Sequence, residues 1–147
     1  MRVDQISVLP TLGYSYVHDT FVYVGADVAP AEVDWAAYLH FIEQRKISGL
    51  NRCLVYSTSA PNAGQRRALH ETTSGMNLKI AVLSDSVVAR GAVTTLSWMS
   101  PGYRAFHPDK ITQALAFLEL QERAARGVEI ELRLLRRMMA KRPELSL

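Results

Sequence analysis

The stretch "VYSTSAPNAGQRRALHE", Val55 to Glu71, sets Ser57, Thr58 and Ser59 beside a proline, a glycine and the pair Arg66 and Arg67. Residues of these types at a strand-to-helix exit could serve as a catalytic serine loop, an anion cradle, a phosphorylation switch or the cap of a helix. A hydrolase would recruit a loop serine with Asp85 and His107, because Ser, Asp and His follow one another in the chain order of α/β-hydrolases. The chain has no Gly-x-Ser-x-Gly elbow, and no spacing brings the three side chains within hydrogen-bond reach. An anion cradle draws on the unpaired amides of a helix N-terminus, with Arg66 and Arg67 one turn further in. "SAPNAGQR" lacks the Gly-Lys-Ser/Thr ending that holds a nucleotide phosphate and its magnesium. Helix caps and turn residues account for the stretch most simply.

The histidines and the cysteine add no metal chemistry. His18, His40 and His70 are scattered, without partners at metal-ligand spacing. The single cysteine, Cys53, excludes an intramolecular disulfide and a multi-cysteine zinc site, and reads as a small core residue. No catalytic residue, metal or cofactor is expected.

The elements that would position these groups alternate in period. "GYSYVHDTFVYVGADV" alternates Tyr14, Tyr16, Phe21 and Tyr23 with β-branched residues, as one long strand or a tight pair, and "DQISVLP" can add a short strand before it. "APAEVDWAAYLHFIEQRKISG" places Trp35, Tyr38, Leu39 and Ile42 at helical spacing between Pro30 and Gly49. "NRCLVYS" is a short apolar strand. The helix after it starts at Pro61 and ends near Gly75. "LKIAVLSD" is a buried strand, followed by the helix "SVVARGAVTTLSWM" with Ser84 or Asp85 as its N-cap. "YRAFH" is the last strand, and "PDKITQALAFLEL" a helix with Ile111, Leu115 and Leu118 on one face. The expected fold is α/β: a mixed sheet of four to five strands with packed helices, in the order ββαβαβαβα, plus a C-terminal amphipathic helix. Functional groups in such folds collect where strands end and helices begin. The face to examine is therefore Ser57, Thr58, Ser59, Asn62, Arg66, Asp85, Ser86 and Arg90, as a partner- or anion-binding surface.

The order of elements, the helix "VDWAAYLHFIE" and the run "LKIAVLSDSVVARGAVTTLSWMSPGYRAFHPDKITQALAFL" resemble the STAS-like fold of bacterial anti-sigma-factor antagonists and related domains that bind lipids or other proteins. The most specific part is a strand ending in Ser or Asp, a helix, a strand with an aromatic such as Phe106, and a helix rich in Ala and Leu. The resemblance covers residues 14 to 120. It implies a non-enzymatic regulatory module that binds a protein partner. In the antagonists a phosphorylatable serine follows an aspartate. Here the loop from Ser57 to Gly64 has no aspartate before its hydroxyls, and Ser57 and Ser59 are the nearest candidates. The alternative within the same fold is a small-ligand or lipid-headgroup site beneath these loops, lined by Trp98, Met99 and Tyr103.

Length and charge set the remaining bounds. At 147 residues and 48% hydrophobic, the chain suffices for one sizeable core. Two regions are expected: a domain over residues 1–120 and a helical extension over 121–147. No apolar run reaches bilayer length and the start lacks the apolar core of a secretory signal, so the expected location is cytoplasmic. The net charge of +3 resides in the extension, where seven basic residues outnumber four glutamates. Arginine and glutamate interleave there, and tryptophan is absent, which argues against membrane or nucleic-acid partners. Val128, Leu132, Leu135 and Met139 recur in steps of three and four, widened by Ile130, Leu134 and Met138. That stripe must be buried on the domain's own flank, on a second copy as a homodimer interface, or on another protein. Gly127 marks a kink at its start.

Overall fold

The aromatic run folds as a tight hairpin, because His18 and Asp19 take the left-handed backbone conformation (φ 53° and 55°) that a two-residue turn between twisted strands requires. Val17 pairs with Thr20 across it. In the computed structural model, which describes residues 6–91, 93 and 102–141, this hairpin opens a mixed sheet. Its strands are β1 (Ser7–Val8), β2 (Leu12–Val17), β3 (Thr20–Gly25), β4 (Leu50–Tyr56), β5 (Asn77–Leu83) and β6 (Tyr103–Phe106), and they lie side by side in chain order. The pairings β1 to β2 and β2 to β3 are antiparallel, and the other three are parallel. The described sheet has six strands rather than four to five, since "DQISVLP" contributes β1 and the aromatic run contributes two. Helix α1 (Glu32–Arg45) follows β3, α2 (Ala63–Thr72) follows β4, and helical residues 87–91 (α3) follow β5. After β6 the chain forms α4 (Ile111–Phe117) and α5 (Glu122–Lys141).

Strand order that always advances in one direction, joined by right-handed crossovers, puts successive crossover helices on the same face. On that face Leu12, Tyr14, Phe21, Tyr23, Cys53 and Ile80 pack with Trp35, Tyr38, Phe41 and Ile42. Rings meet there at tilted or edge-on angles, Tyr14 to Phe41 at 4.6 Å and Tyr23 to Tyr38 at 4.8 Å between centroids. The Tyr38 hydroxyl and the Cys53 sulfur share a hydrogen bond of 3.2 Å. Two polar ties fix the helix starts above this core. Asp34 accepts from the backbone N–H (2.9 Å) and hydroxyl (2.5 Å) of Thr11, and the Trp35 indole donates to the Gln65 carbonyl at 3.0 Å.

The opposite face is covered from the C-terminal end of the chain. Val22, Val24, Leu54, Ala81 and Leu83 meet Leu115 and Leu118 of the α4 region and Val128, Leu132, Leu135 and Met139 of α5. The four α5 residues considered for an interface with a second copy are thus buried against the sheet of their own chain. Alternation along β2 makes this approach possible, since Gly13 and Ser15 face α5 while Leu12, Tyr14 and Tyr16 face α1. A Cβ on Gly13 would sit 2.9 Å from the Met139 sulfur and 3.1 Å from a Leu135 methyl. Gly127 is not a kink: α5 runs through it unbroken, and the His18 ring occupies the space that a Cβ there would need.

The reversal between α4 and α5 is held by cations. Glu119 takes a left-handed conformation (φ 59°), and Arg52 donates to the Leu118 carbonyl at 2.6 Å. Lys79 donates to the Phe117 carbonyl at 3.2 Å and pairs with the Glu119 carboxylate at 2.7 Å, which holds that carboxyl below its usual range. Positive groups at a helix C-terminus answer its exposed carbonyls and dipole.

Burial pushes the Cys53 thiol up from 9.0 to about 12 and raises Tyr38 and Tyr23 as well. These groups are held neutral in the fold, so their contribution is complete below the unfolded thiol value and is lost as pH rises through the folded one. Urea unfolding should therefore show stability falling from about pH 9 upward, with Cys53 inert to thiol reagents at pH 8 until the chain unfolds. Rapid labelling of the folded chain at pH 8 would contradict this burial.

Candidate functional site

The parallel strands β3, β4 and β5 end along one edge of the sheet, and the loops that follow them bring together the hydroxyls singled out in the sequence. Each hydroxyl from Ser57 to Ser59 is engaged locally. Ser57 is buried; its hydroxyl donates to the Ser59 carbonyl at 2.7 Å and accepts from the Ser59 backbone N–H at 3.2 Å. Ser59 reaches across to the β3 loop and donates to the carbonyls of Val28 (2.8 Å) and Ala26 (3.1 Å). Thr58 is exposed and donates to Asp27 at 3.1 Å. The β4 loop is thereby sewn to the β3 loop, with Gly25 leaving room for the Ser57 hydroxyl.

The start of α2 is closed by a capping box. Asn62 accepts from the Gln65 N–H at 2.8 Å, and the Gln65 side chain accepts from the Asn62 N–H at 2.9 Å. Gln65 is buried and also donates to the Pro30 carbonyl at 2.8 Å, so the box ties α2 to the entry of α1. Arg66 donates to the Pro61 carbonyl at 2.7 Å and braces the same turn. Of the first-turn amides, that of Gln65 is taken by the Asn62 side chain and that of Arg66 by the Asn62 carbonyl. The helix begins at Ala63, two residues after the Pro61 start expected from sequence, and ends at Thr72, while Gly75 (φ 80°) belongs to the turn beyond it.

After β5 the N-cap is Ser86, whose hydroxyl accepts from the Ala89 N–H at 3.1 Å, rather than Ser84 or Asp85. Ser84 is buried and accepts from the Ser86 N–H at 3.2 Å, and Arg90 donates to the Ser84 carbonyl at 2.7 Å. Asp85 is exposed. His107 accepts from the Asp109 N–H through Nδ1 at 3.1 Å, with the Asp109 carboxylate 3.5 Å away. A nucleophile would need its proton directed at an imidazole; Ser57 and Ser59 direct theirs at backbone carbonyls, and the His107 nitrogen is turned toward its own helical turn. The described hydrogen bonds do not assemble a triad from Ser57, Asp85 and His107. Of the ligand-pocket residues, Trp98 and Met99 lie outside the described residues, and Tyr103 packs partly buried against the α1-side core.

Apolar side chains on this edge went unnoticed in the sequence. Val28 in the β3 loop is 56% exposed, Val33 in the first turn of α1 is 76%, and Val87 and Val88 at the start of α3 are 73% and 83%. Together with Ile47, Ile130 and Met138 they make up the exposed large hydrophobic residues described, and four of these seven belong to the strand-end edge. The signal was available: Val33 is off the stripe of Trp35, Tyr38 and Ile42, and the Val87–Val88 pair follows directly on the Ser86 cap.

Comparison with known proteins returned no matching family model, no matching curated protein and no matching solved structure.

Because the Ser59 hydroxyl serves two carbonyls, Ser59→Asp would set a charged acceptor against them and should cost about 1–3 kcal/mol. Thr58→Ala, at an exposed bond, should stay within about 0.5 kcal/mol of the parent. Urea melts of the two variants check the contrast, and equal midpoints would show that the Ser59 bridge does not hold these loops.

Proposed function

We propose that the chain is a non-enzymatic regulatory module of STAS-like type that binds another protein through its strand-end edge, with α5 (Glu122–Lys141) completing its α/β core. The observation that carries this reading is the set of exposed valines Val28, Val33, Val87 and Val88 beside loops whose serine hydroxyls are already bonded. Apolar side chains held outward on a braced edge give a partner area to desolvate at small ordering cost, which is how protein recognition surfaces gain affinity. A catalytic edge calls for the reverse, with free polar groups converging on a reacting atom.

Asp85, Asn62 and Arg67, all exposed on or next to this edge, supply the polar rim that confers partner choice. The hydroxyls act as spacers and caps. A phosphorylation switch fits Ser57 and Ser59 poorly, because a phosphoryl group at either would remove the donor that bridges the loops. Exposed Thr58 is the hydroxyl whose modification the fold tolerates best.

The test is affinity capture from the native host with the parent chain, with Val87→Asp/Val88→Asp, and with Val33→Asp, after confirming matched melting temperatures. The reading predicts a partner retained by the parent and lost, by at least about tenfold, on burying a charge in either patch. The same partner retained by all three proteins would place the interface elsewhere.

A further inference from the structure

On the outward face of α5, arginine and glutamate are sorted in space although they interleave in sequence. Glu131 lies buried on the sheet side. Glu129 is on the flank toward β4 and pairs with Arg133 at 2.7 Å, and Glu122 sits in the first turn beside Arg126 at 3.5 Å. On the same flank as Glu129, Arg136 stacks over the Tyr56 ring at 3.9 Å. The side turned to solvent carries Arg123, Arg126, Arg137 and Lys141, all exposed, with the exposed Glu122 beside Arg126 at its N-terminal end. Along it run Ile130 (58% exposed), Leu134 (half-buried) and Met138 (37% exposed) at successive steps of four, one unbroken apolar ridge. At the N-terminal half a groove of about 510 Å³ opens between the ridge and the hairpin, lined by His18, Arg123, Arg126 and Ile130 with Glu122 and Gly127.

We propose that this face of α5 binds an anionic lipid surface, with the apolar ridge entering the headgroup layer and the flanking cations meeting lipid phosphates. A 20-residue helix presents a straight convex edge about 30 Å long, a shape that a flat bilayer accepts without a groove of its own. Charge disfavours a second copy, since on each such face four cations stand against the single exposed carboxylate of Glu122. The chemistry of the helix disfavours nucleic acid. "ERAARGVEIELRLLRRMMAK" sets the apolar ridge of Ile130, Leu134 and Met138 among its cations, and an apolar ridge facing phosphates gains nothing. Interleaved glutamates argue against a membrane only while α5 is read as a string; once the helix is seated on the sheet Glu131 is buried and Glu129 lies on the flank, which leaves Glu122 in the first turn as the carboxylate beside the cations. No described helix is long and apolar enough to cross a bilayer, so the contact is peripheral. It involves none of the strand-end residues and is independent of the function proposed for them.

The experiment is sedimentation of the full chain with vesicles of phosphatidylglycerol mixed into phosphatidylcholine and with vesicles of phosphatidylcholine alone, at low and physiological salt. Binding to the anionic vesicles only, weakened by salt, is the expected result. Arg123→Ala with Arg137→Ala should lower the partition coefficient roughly twentyfold. Ile130→Ser, at a solvent-exposed position, should lower it several-fold with the melting temperature unchanged. A folded parent chain that stays in solution with anionic vesicles at low salt would overturn the proposal. Equal binding by the parent and the arginine variant, or binding to a duplex DNA probe in place of the vesicles, would also overturn it.

Discussion

A sheet whose strands advance in one direction gathers its right-handed crossover helices on one face and leaves the other bare. In this chain that bare face, built from Val22, Val24, Leu54, Ala81 and Leu83, is closed by α4 and α5. Everything at the edge depends on that closure. The loops that carry Ser57, Ser59 and Ser86 are held by strands whose second face would otherwise be open to water. The contact is specified as well as apolar, because Gly13 on β2 admits Met139 and Leu135, and Gly127 on α5 admits the His18 ring. Small residues on one partner and bulky ones on the other fix the seat of the helix.

The two surfaces of interest both follow from saturation nearby. At the strand-end edge, the hydroxyls of Ser57, Ser59 and Ser86 are consumed in bracing three loops, so the groups left to meet a partner are the valines and a polar rim of Asp85, Asn62 and Arg67. On α5, the apolar stripe is consumed by the sheet, Glu131 by the interior and Glu129 by the flank, so the groups left outward are arginines, a lysine, Glu122 at the helix start and one narrow ridge. In each case function is assigned to what local structure does not use.

Much of the fold was legible in the sequence because alternation and helical spacing are strong signals. The period-two pattern of Tyr14, Tyr16, Phe21 and Tyr23 does mark one face of a hairpin, and Trp35, Tyr38 and Ile42 do mark the buried side of α1. Boundaries were less legible. Ser84, Asp85 and Ser86 are all capable caps, and only the backbone path shows that Ser86 accepts the Ala89 amide. The destination of the α5 stripe could not be read, because a stripe reports that burial is needed and not what supplies it; the complement, Gly13 and Ser15 on β2, lies over a hundred residues away in sequence. The candidate face was read from its hydroxyls, which the fold spends on itself, while its valines were passed over because single exposed apolar residues are common.

The central claim is that α5 is part of the core and not an appendage to a domain complete at Leu120. The most direct measurement is thermal and urea unfolding of the chain ended after Gln121, beside the full chain, with binding of an apolar fluorescent dye as a second readout. The account predicts loss of the cooperative transition and strong dye binding, because Val22, Val24 and their neighbours would face water. A shortened chain that unfolds cooperatively at the parent's midpoint, with no added dye binding, would contradict it.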